Sequence, residues 1–196
     1  FHRRFHQAGM VLARRARAPL VLRVEALEVR EESAWGVRRP GWGRLVERLG
    51  EWPVLRKADL CAAVSDEVDR QLDAIGVPPE RRIVLPNGVD VTRFSPGPPE
   101  VDLRLSLGLA DRFVVGWIGG FRPFHGLDLI PDLARALRFR VPDAVLCLIG
   151  TGPLRHRVEE ATRGMEGIRL FPPVPRAEVP RWIRMFDACV VLAGPG

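Results

Sequence analysis

The sequence predicts an α/β protein made of two halves, each built on a parallel sheet, and three observations carry that prediction. From residue 113 onward, apolar runs with strand character alternate with segments of helical periodicity, the order that gives parallel strands joined by crossover helices. Residues 144–149, Ala-Val-Leu-Cys-Leu-Ile, are apolar without a break, as a strand covered on both faces requires. Residues 83–94, Ile-Val-Leu-Pro-Asn-Gly-Val-Asp-Val-Thr-Arg-Phe, join a short strand to a turn and then to an anchoring aromatic, which marks a joint between the halves.

In the first half, residues 7–17 read as a helix, 20–25 as a strand and 28–43 as a loop rich in charge, Trp and Gly. Residues 42–57 mix Leu45, Val46, Leu49, Trp52 and Leu55 with Arg44, Arg48, Arg56 and Lys57, and Pro53 interrupts them. Two short helices packed on the core and one membrane-facing helix both fit that pattern. Residues 58–65 form the next strand, ending at Ser65, which is placed to cap a helix. Asp66 and Glu67 follow in the first turn, where the helix dipole favours acids; Val68, Leu72 and Ile75 keep helical spacing, and Gly76 stands where a C-terminal cap belongs. Ile83, Val84 and Leu85 make a third strand, Pro86 ends its ladder, and Asn87-Gly88 is the pair expected to take positive φ. Ser95-Pro96-Gly97-Pro98-Pro99 reads as a linker and divides the chain into residues 1–97 and 98–196.

The second half is regular, with strands over 113–118, 144–149, 168–171 and 188–192 and helices over 127–138, 154–163 and 179–186. Ligands of parallel sheets sit at the carboxyl ends of the strands, so the loops after Ile118 and Ile149 are where chemistry is expected. The first loop is Gly119-Gly120-Phe121-Arg122-Pro123-Phe124-His125-Gly126. Two glycines let backbone N–H groups approach an anion, and the guanidinium of Arg122 is a planar fork for phosphate oxygens. The loop is neither Gly-x-Gly-x-x-Gly nor a Walker motif, which removes the usual support for nicotinamide or P-loop chemistry. The second loop, Gly150-Thr151-Gly152-Pro153, serves equally as a tight turn or as the far wall of a nucleotide site.

Composition sets further bounds. With 46% hydrophobic and 28% charged residues the chain is an ordinary globular one, and no run approaches the ~20 apolar residues that span a bilayer. Of the net charge of +6, residues 1–57 hold 13 Arg or Lys against 6 Glu, while the remainder is slightly acidic. Lys57 is the single lysine among 30 basic residues, so codon composition explains the excess as well as attraction to an anionic membrane face does. No nucleic-acid-binding module accompanies the arginines, so nucleic acid is not an expected partner. Cys61, Cys147 and Cys189 fall inside predicted strands without metal-ligand spacing, and buried reduced thiols in a cytoplasmic protein are expected.

The order Ala-Asp, apolar strand, Val-Ser, helix, Gly-Val-Pro, strand, Pro-Asn-Gly-Val-Asp, Phe resembles the hinge of the family-4 retaining glycosyltransferases (glycosyltransferase group 1), whose GT-B fold faces two Rossmann-like domains. The resemblance runs from the helix at residues 9–15 to Phe186-Asp187-Ala188-Cys189-Val190-Val191. Family members have two complete domains, so 196 residues imply an internal fragment: the end of an acceptor-side domain, the hinge, and the start of a nucleotide-sugar domain. The resemblance further implies transfer of a sugar from a nucleoside-diphosphate sugar such as a UDP- or GDP-sugar to an acceptor hydroxyl, without a metal, in polysaccharide or glycolipid assembly.

In the family, the loop after the first strand of this half commonly has an Arg just after the first glycine and a Lys just before the last. Here those places hold Gly120 and His125, and Arg122 becomes the main cation for the diphosphate. Arg122 and His125 are thus the expected catalytic pair, and Gly119, Gly120, Arg122, His125, Gly150, Gly152 and Val174 the expected donor contacts. Pro172 stands where the family usually has a glycine before the base-contacting residues. Glu25 or Glu32 resembles acids of the acceptor side, although solvated loop charges explain them more simply, and a ribose-binding Glu-x7-Glu segment is expected past Gly196, which makes the fragment alone inactive. A non-catalytic nucleotide-binding or interaction module, and a basic membrane-surface adaptor, are the alternatives on the same residues.

Overall fold

The computed structural model describes residues 7–25, 45 and 47–192, and the chain divides into two compact units between Gly88 and Val89. The segment expected as a linker therefore groups with the second unit.

In the first unit, helix α1 (Gln7–Ala16) leads to strand β1 (Val21–Val24). A π-helical turn (Glu47–Glu51), helix α2 (Trp52–Lys57), strand β2 (Leu60–Ala63), helix α3 (Asp66–Ala74) and strand β3 (Arg82–Val84) follow. The strands run parallel in the order β1-β2-β3. Ser65 caps α3 as expected, its Oγ accepting from the Val68 N–H at 3.3 Å, and Gly76 ends the helix at φ +83°. Val68, Leu72 and Ile75 then face Val24, Leu55, Cys61 and Ala63 in one core. Each such fully buried aliphatic side chain contributes roughly 1.5–3 kcal/mol.

Pro53 sits in the first turn of α2, where its missing N–H costs nothing, so the segment divides into a π turn and a short helix whose Val54 and Leu55 are buried. Leu45 and Leu49 remain exposed. The loop over 28–43, with Glu32, lies outside the described residues, as do residues 42–44 and Val46. Glu25 is exposed and pairs with Arg23 at 3.6 Å.

Leu85 donates the last ladder bond, to the Ala63 carbonyl at 2.7 Å, and Pro86 ends the strand as expected. Asn87-Gly88 departs from expectation: neither residue takes positive φ. Asn87 instead uses its Oδ1 to accept from the Arg23 guanidinium of β1, and the turn proper comes at Asp90, whose carboxylate accepts from Thr92 and Arg93. A long-range side-chain bond has replaced the local turn.

The second unit contains helix α4 (Val101–Ser106), strand β4 (Val114–Gly120), 3-10 turns at Pro123–His125 and Leu127–Leu129, and helix α5 (Ile130–Arg140). Strand β5 (Val145–Thr151), helix α6 (Arg155–Ala161), strand β6 (Ile168–Phe171), helix α7 (Val179–Arg184) and strand β7 (Ala188–Cys189) complete it. All four strands are parallel, in the order β6-β5-β4-β7.

Side chains of β5 alternate between the two faces: Leu146 and Leu148 join one core with Val115, Trp117 and Phe121, while Val145, Cys147 and Ile149 join the other with Leu109, Val114 and Met185. This explains the unbroken apolar run. At Gly116 of β4 a Cβ would stand 2.1 Å from the Phe186 ring, so the glycine is the seat of that ring.

Cys61 and Cys147 are buried as expected, but Cys189 is exposed. Only two residues of the expected 188–192 strand pair, with Val115 and Gly116, and no described strand covers their other side. Among the described residues no helix is long and apolar enough to cross a membrane.

Candidate functional site

The carboxyl ends of β4 and β5 lie side by side, with Gly119 opposite Gly150 and Gly120 opposite Thr151. Gly150 has φ +138°, and a Cβ there would fall 2.0 Å from the Gly119 carbonyl oxygen. Only glycine lets the strands approach so closely at their ends. Gly152 is similarly pressed, its absent Cβ 2.6 Å from the Phe121 nitrogen. The Phe121 N–H donates to the Thr151 carbonyl at 3.0 Å and the Leu154 N–H to the Phe121 carbonyl at 2.9 Å, which ties the two glycine loops into one surface.

Phe121, fully buried, is the anchor beneath that surface, edge-on to Trp117 at 5.1 Å. Its neighbour Arg122 is exposed, with extended backbone (φ −113°, ψ 155°), so side chains alternate down and up at the loop's start. His125 closes the loop: its Nδ1 donates to the Gly120 carbonyl, and the ring lies edge-on to Phe124 and Trp117. Gly126 then adopts the left-handed conformation (φ 56°) and releases the chain into α5.

The structure thus brings Gly119, Gly120, Arg122, His125, Gly150 and Gly152 to one edge of one sheet. Val174 is half-buried after β6 and packs against the core of Leu109, Val114, Val145, Cys147, Ile149 and Met185. Pro172 is exposed.

Residues 2–88 match the model of a family described as "Glycosyl transferase 4-like domain". The D-inositol 3-phosphate glycosyltransferase of Geodermatophilus obscurus is 32% identical over 157 residues, 73% of this chain and 35% of that protein. Residues 2–88 carry a family-4 glycosyltransferase domain. Another relative, the D-inositol 3-phosphate glycosyltransferase of Frankia alni, is 30% identical across 94% of this chain and 48% of its own length. A third relative, from Mycolicibacterium smegmatis, is a GDP-mannose-dependent alpha-(1-6)-phosphatidylinositol monomannoside mannosyltransferase, 30% identical over 75% of this chain and 40% of its own. The chain therefore spans a third to a half of the length of the curated glycosyltransferases it matches.

Among solved structures, Anabaena HepE in complex with UDP and glucose superposes with a TM-score of 0.74 at 21% identity, over 95% of this chain and 50% of that one. Sucrose-phosphate synthase from Thermosynechococcus elongatus gives 0.69 at 19% identity, over 94% and 47%. The likeness in fold confirms the two-sheet GT-B architecture for this chain.

One residue escaped the reading of the sequence. Arg155, the first residue of α6, sends its guanidinium to the Gly150 carbonyl and, at 2.8 Å, to the Phe171 carbonyl, bracing the ends of β5 and β6. It also pairs with Glu159 at 2.7 Å and lies 5.6 Å from the Phe121 ring. A cation in the first turn of a helix opposes the dipole, and that misfit was the available signal.

Proposed function

We propose that the whole protein transfers a sugar from a nucleoside-diphosphate sugar to an acceptor hydroxyl with retention of the anomeric configuration. The observation that carries this reading is the single edge formed by Gly119, Gly120, Arg122 and His125 against Gly150 and Gly152. The glycines let the two strand-end loops pack into one edge, and the exposed Arg122 guanidinium there meets the diphosphate oxygens. As the bond between the anomeric carbon and the diphosphate breaks, the acceptor oxygen bonds to that carbon from the same face, and its proton leaves with the nucleoside diphosphate. Arg122 and the imidazole of His125 stabilise the charge that develops on the leaving group. Val174, following β6, takes the base side of the donor.

Two relatives support this class of donor: one is named for GDP-mannose and another was solved with UDP. The acceptor is a glycan or lipid-linked hydroxyl, in polysaccharide or glycolipid assembly. The basic excess of residues 1–57 suits peripheral contact with an anionic membrane face, and the buried Cys61 and Cys147 thiols suit the reducing cytoplasm.

Calorimetric titration of the full-length protein with UDP and GDP tests the donor site. Saturable binding of one of them, weakened roughly ten- to hundredfold in Arg122→Ala, is expected for loss of a charged hydrogen bond. No saturable binding of either nucleotide, with the fold intact by circular dichroism, sinks the reading. Retention is read from the anomeric proton coupling of the product made by the full-length enzyme.

A further inference from the structure

At the opposite end of the second sheet, a cavity of about 390 Å³ opens at the amino-terminal ends of β5 and β6. Its lining combines the apolar Val145, Ile168 and Met165 with Arg112, Arg138 and Arg169 and one carboxylate, Glu166. The three arginines come from three separate elements: the loop before β4, the last turn of α5, and β6.

Two features show that the guanidinium groups are positioned there. Gly167 has φ +78°, and a Cβ on it would lie 2.5 Å from Cδ of Arg138, so the missing side chain is the channel for the Arg138 arm, which then reaches Glu166 at 3.1 Å. Arg169 is held by donation to the Leu107 carbonyl, which uses one of its five N–H groups. Among the described residues, the Arg112 guanidinium has no carboxylate or carbonyl partner. Three cations sharing one cavity repel each other, and an anion relieves that repulsion.

We propose that this cavity binds a phosphate-bearing anion, at a site separate from the donor loops. The length of β5 alone sets the two ends of the sheet about 20 Å apart. A phosphate there receives forks from Arg112 and Arg169, with Arg138 as the third charge, while Val145, Ile168 and Met165 take up an apolar portion of the ligand.

The probe is inorganic phosphate, exchanged for chloride at constant ionic strength, and the readout is the methyl resonances of Met165, Val145 and Ile168. Saturable shifts are expected, weakened at least tenfold by Arg112→Gln combined with Arg169→Gln, and unchanged by Arg163→Gln, a surface charge outside the cavity. They are also expected to survive Arg122→Ala, so failure of the donor site and failure of this one are read separately. Shifts that do not saturate, or that weaken equally in Arg163→Gln, overturn the site. Vesicles of phosphatidylcholine with and without phosphatidic acid identify the source of the phosphate. Binding that needs phosphatidic acid and both arginines assigns a lipid headgroup, and saturation by free phosphate without vesicle binding assigns a small soluble ligand.

Discussion

Nδ1 of His125 donates to the backbone carbonyl of Gly120, strapping the end of the loop after β4 to the last residue of that strand. A carbonyl only accepts, so Nδ1 carries the hydrogen. The Arg122 N–H reaches the same oxygen at 2.8 Å, so both candidate site residues depend on one carbonyl for their placement.

His125→Ala is therefore expected to loosen the loop as well as remove a ligand contact. Donor affinity should fall about three- to tenfold, the scale of one hydrogen bond, and amide exchange should quicken across residues 121–126. A UDP titration alongside hydrogen exchange checks this; weaker binding with unchanged exchange would show that the imidazole acts on the ligand alone.

Gly150→Ala forces a side chain into φ +138° and against the Gly119 oxygen 2.0 Å away. Strain and overpacking together should cost about 2–4 kcal/mol. Urea unfolding measures it, and a cost below about 1 kcal/mol would mean the strand ends part easily.

Arg155→Met keeps the hydrophobic stem and removes the guanidinium that braces the Gly150 and Phe171 carbonyls. Expected is a loss of about 1–3 kcal/mol together with weaker donor binding. Arg155→Lys should rescue little, because an ammonium cannot serve two divergent carbonyls as a planar fork does. Full rescue by lysine would leave charge alone as the requirement.

Glu100 joins the start of α4 to α7, accepting from Arg184 at 2.9 Å and Arg181 at 3.1 Å. The Arg184 bond first, then the Arg181 bond, holds its carboxyl below the usual range. The ionised form is the one the fold favours, so this stabilisation is present above the ordinary Glu value and disappears as pH falls through the depressed one. Unfolding midpoints measured from about pH 7 to about pH 3 should show a shallower acid decline in Glu100→Gln than in the wild type. Parallel declines would mean that the ion pairs do not outlast solvent competition.

Burial pushes the thiols of Cys61 and Cys147 up to about 11 and about 12; partial burial raises Cys189 too, but that residue is exposed. Alkylation of the native protein near pH 8 should label Cys189 first, with the other two reacting only on unfolding. Peptide mass mapping decides the order, and early labelling of Cys147 would contradict the doubly covered β5.

Much of this protein was legible in the order of its residues, because the signals there are local. The Ser65 cap, the Pro86 stop and the apolar run of β5 depend on neighbours in the chain or on burial on both faces, and each appeared where periodicity put it. The loops that hold Gly119, Gly120, Arg122 and His125 were equally visible, since parallel strands direct their ligands to the carboxyl edge. Other features required atoms distant in sequence. Asn87 abandons its own turn for Arg23, Arg155 joins two strand ends, Phe186 fills the space above Gly116, and Arg112, Arg138 and Arg169 meet around one cavity. Local propensity ranks the conformations of a segment by fractions of a kcal/mol to a few, and a hydrogen bond or ring supplied from another element is enough to change that order. Which partner supplies it is decided only when the sheets have formed.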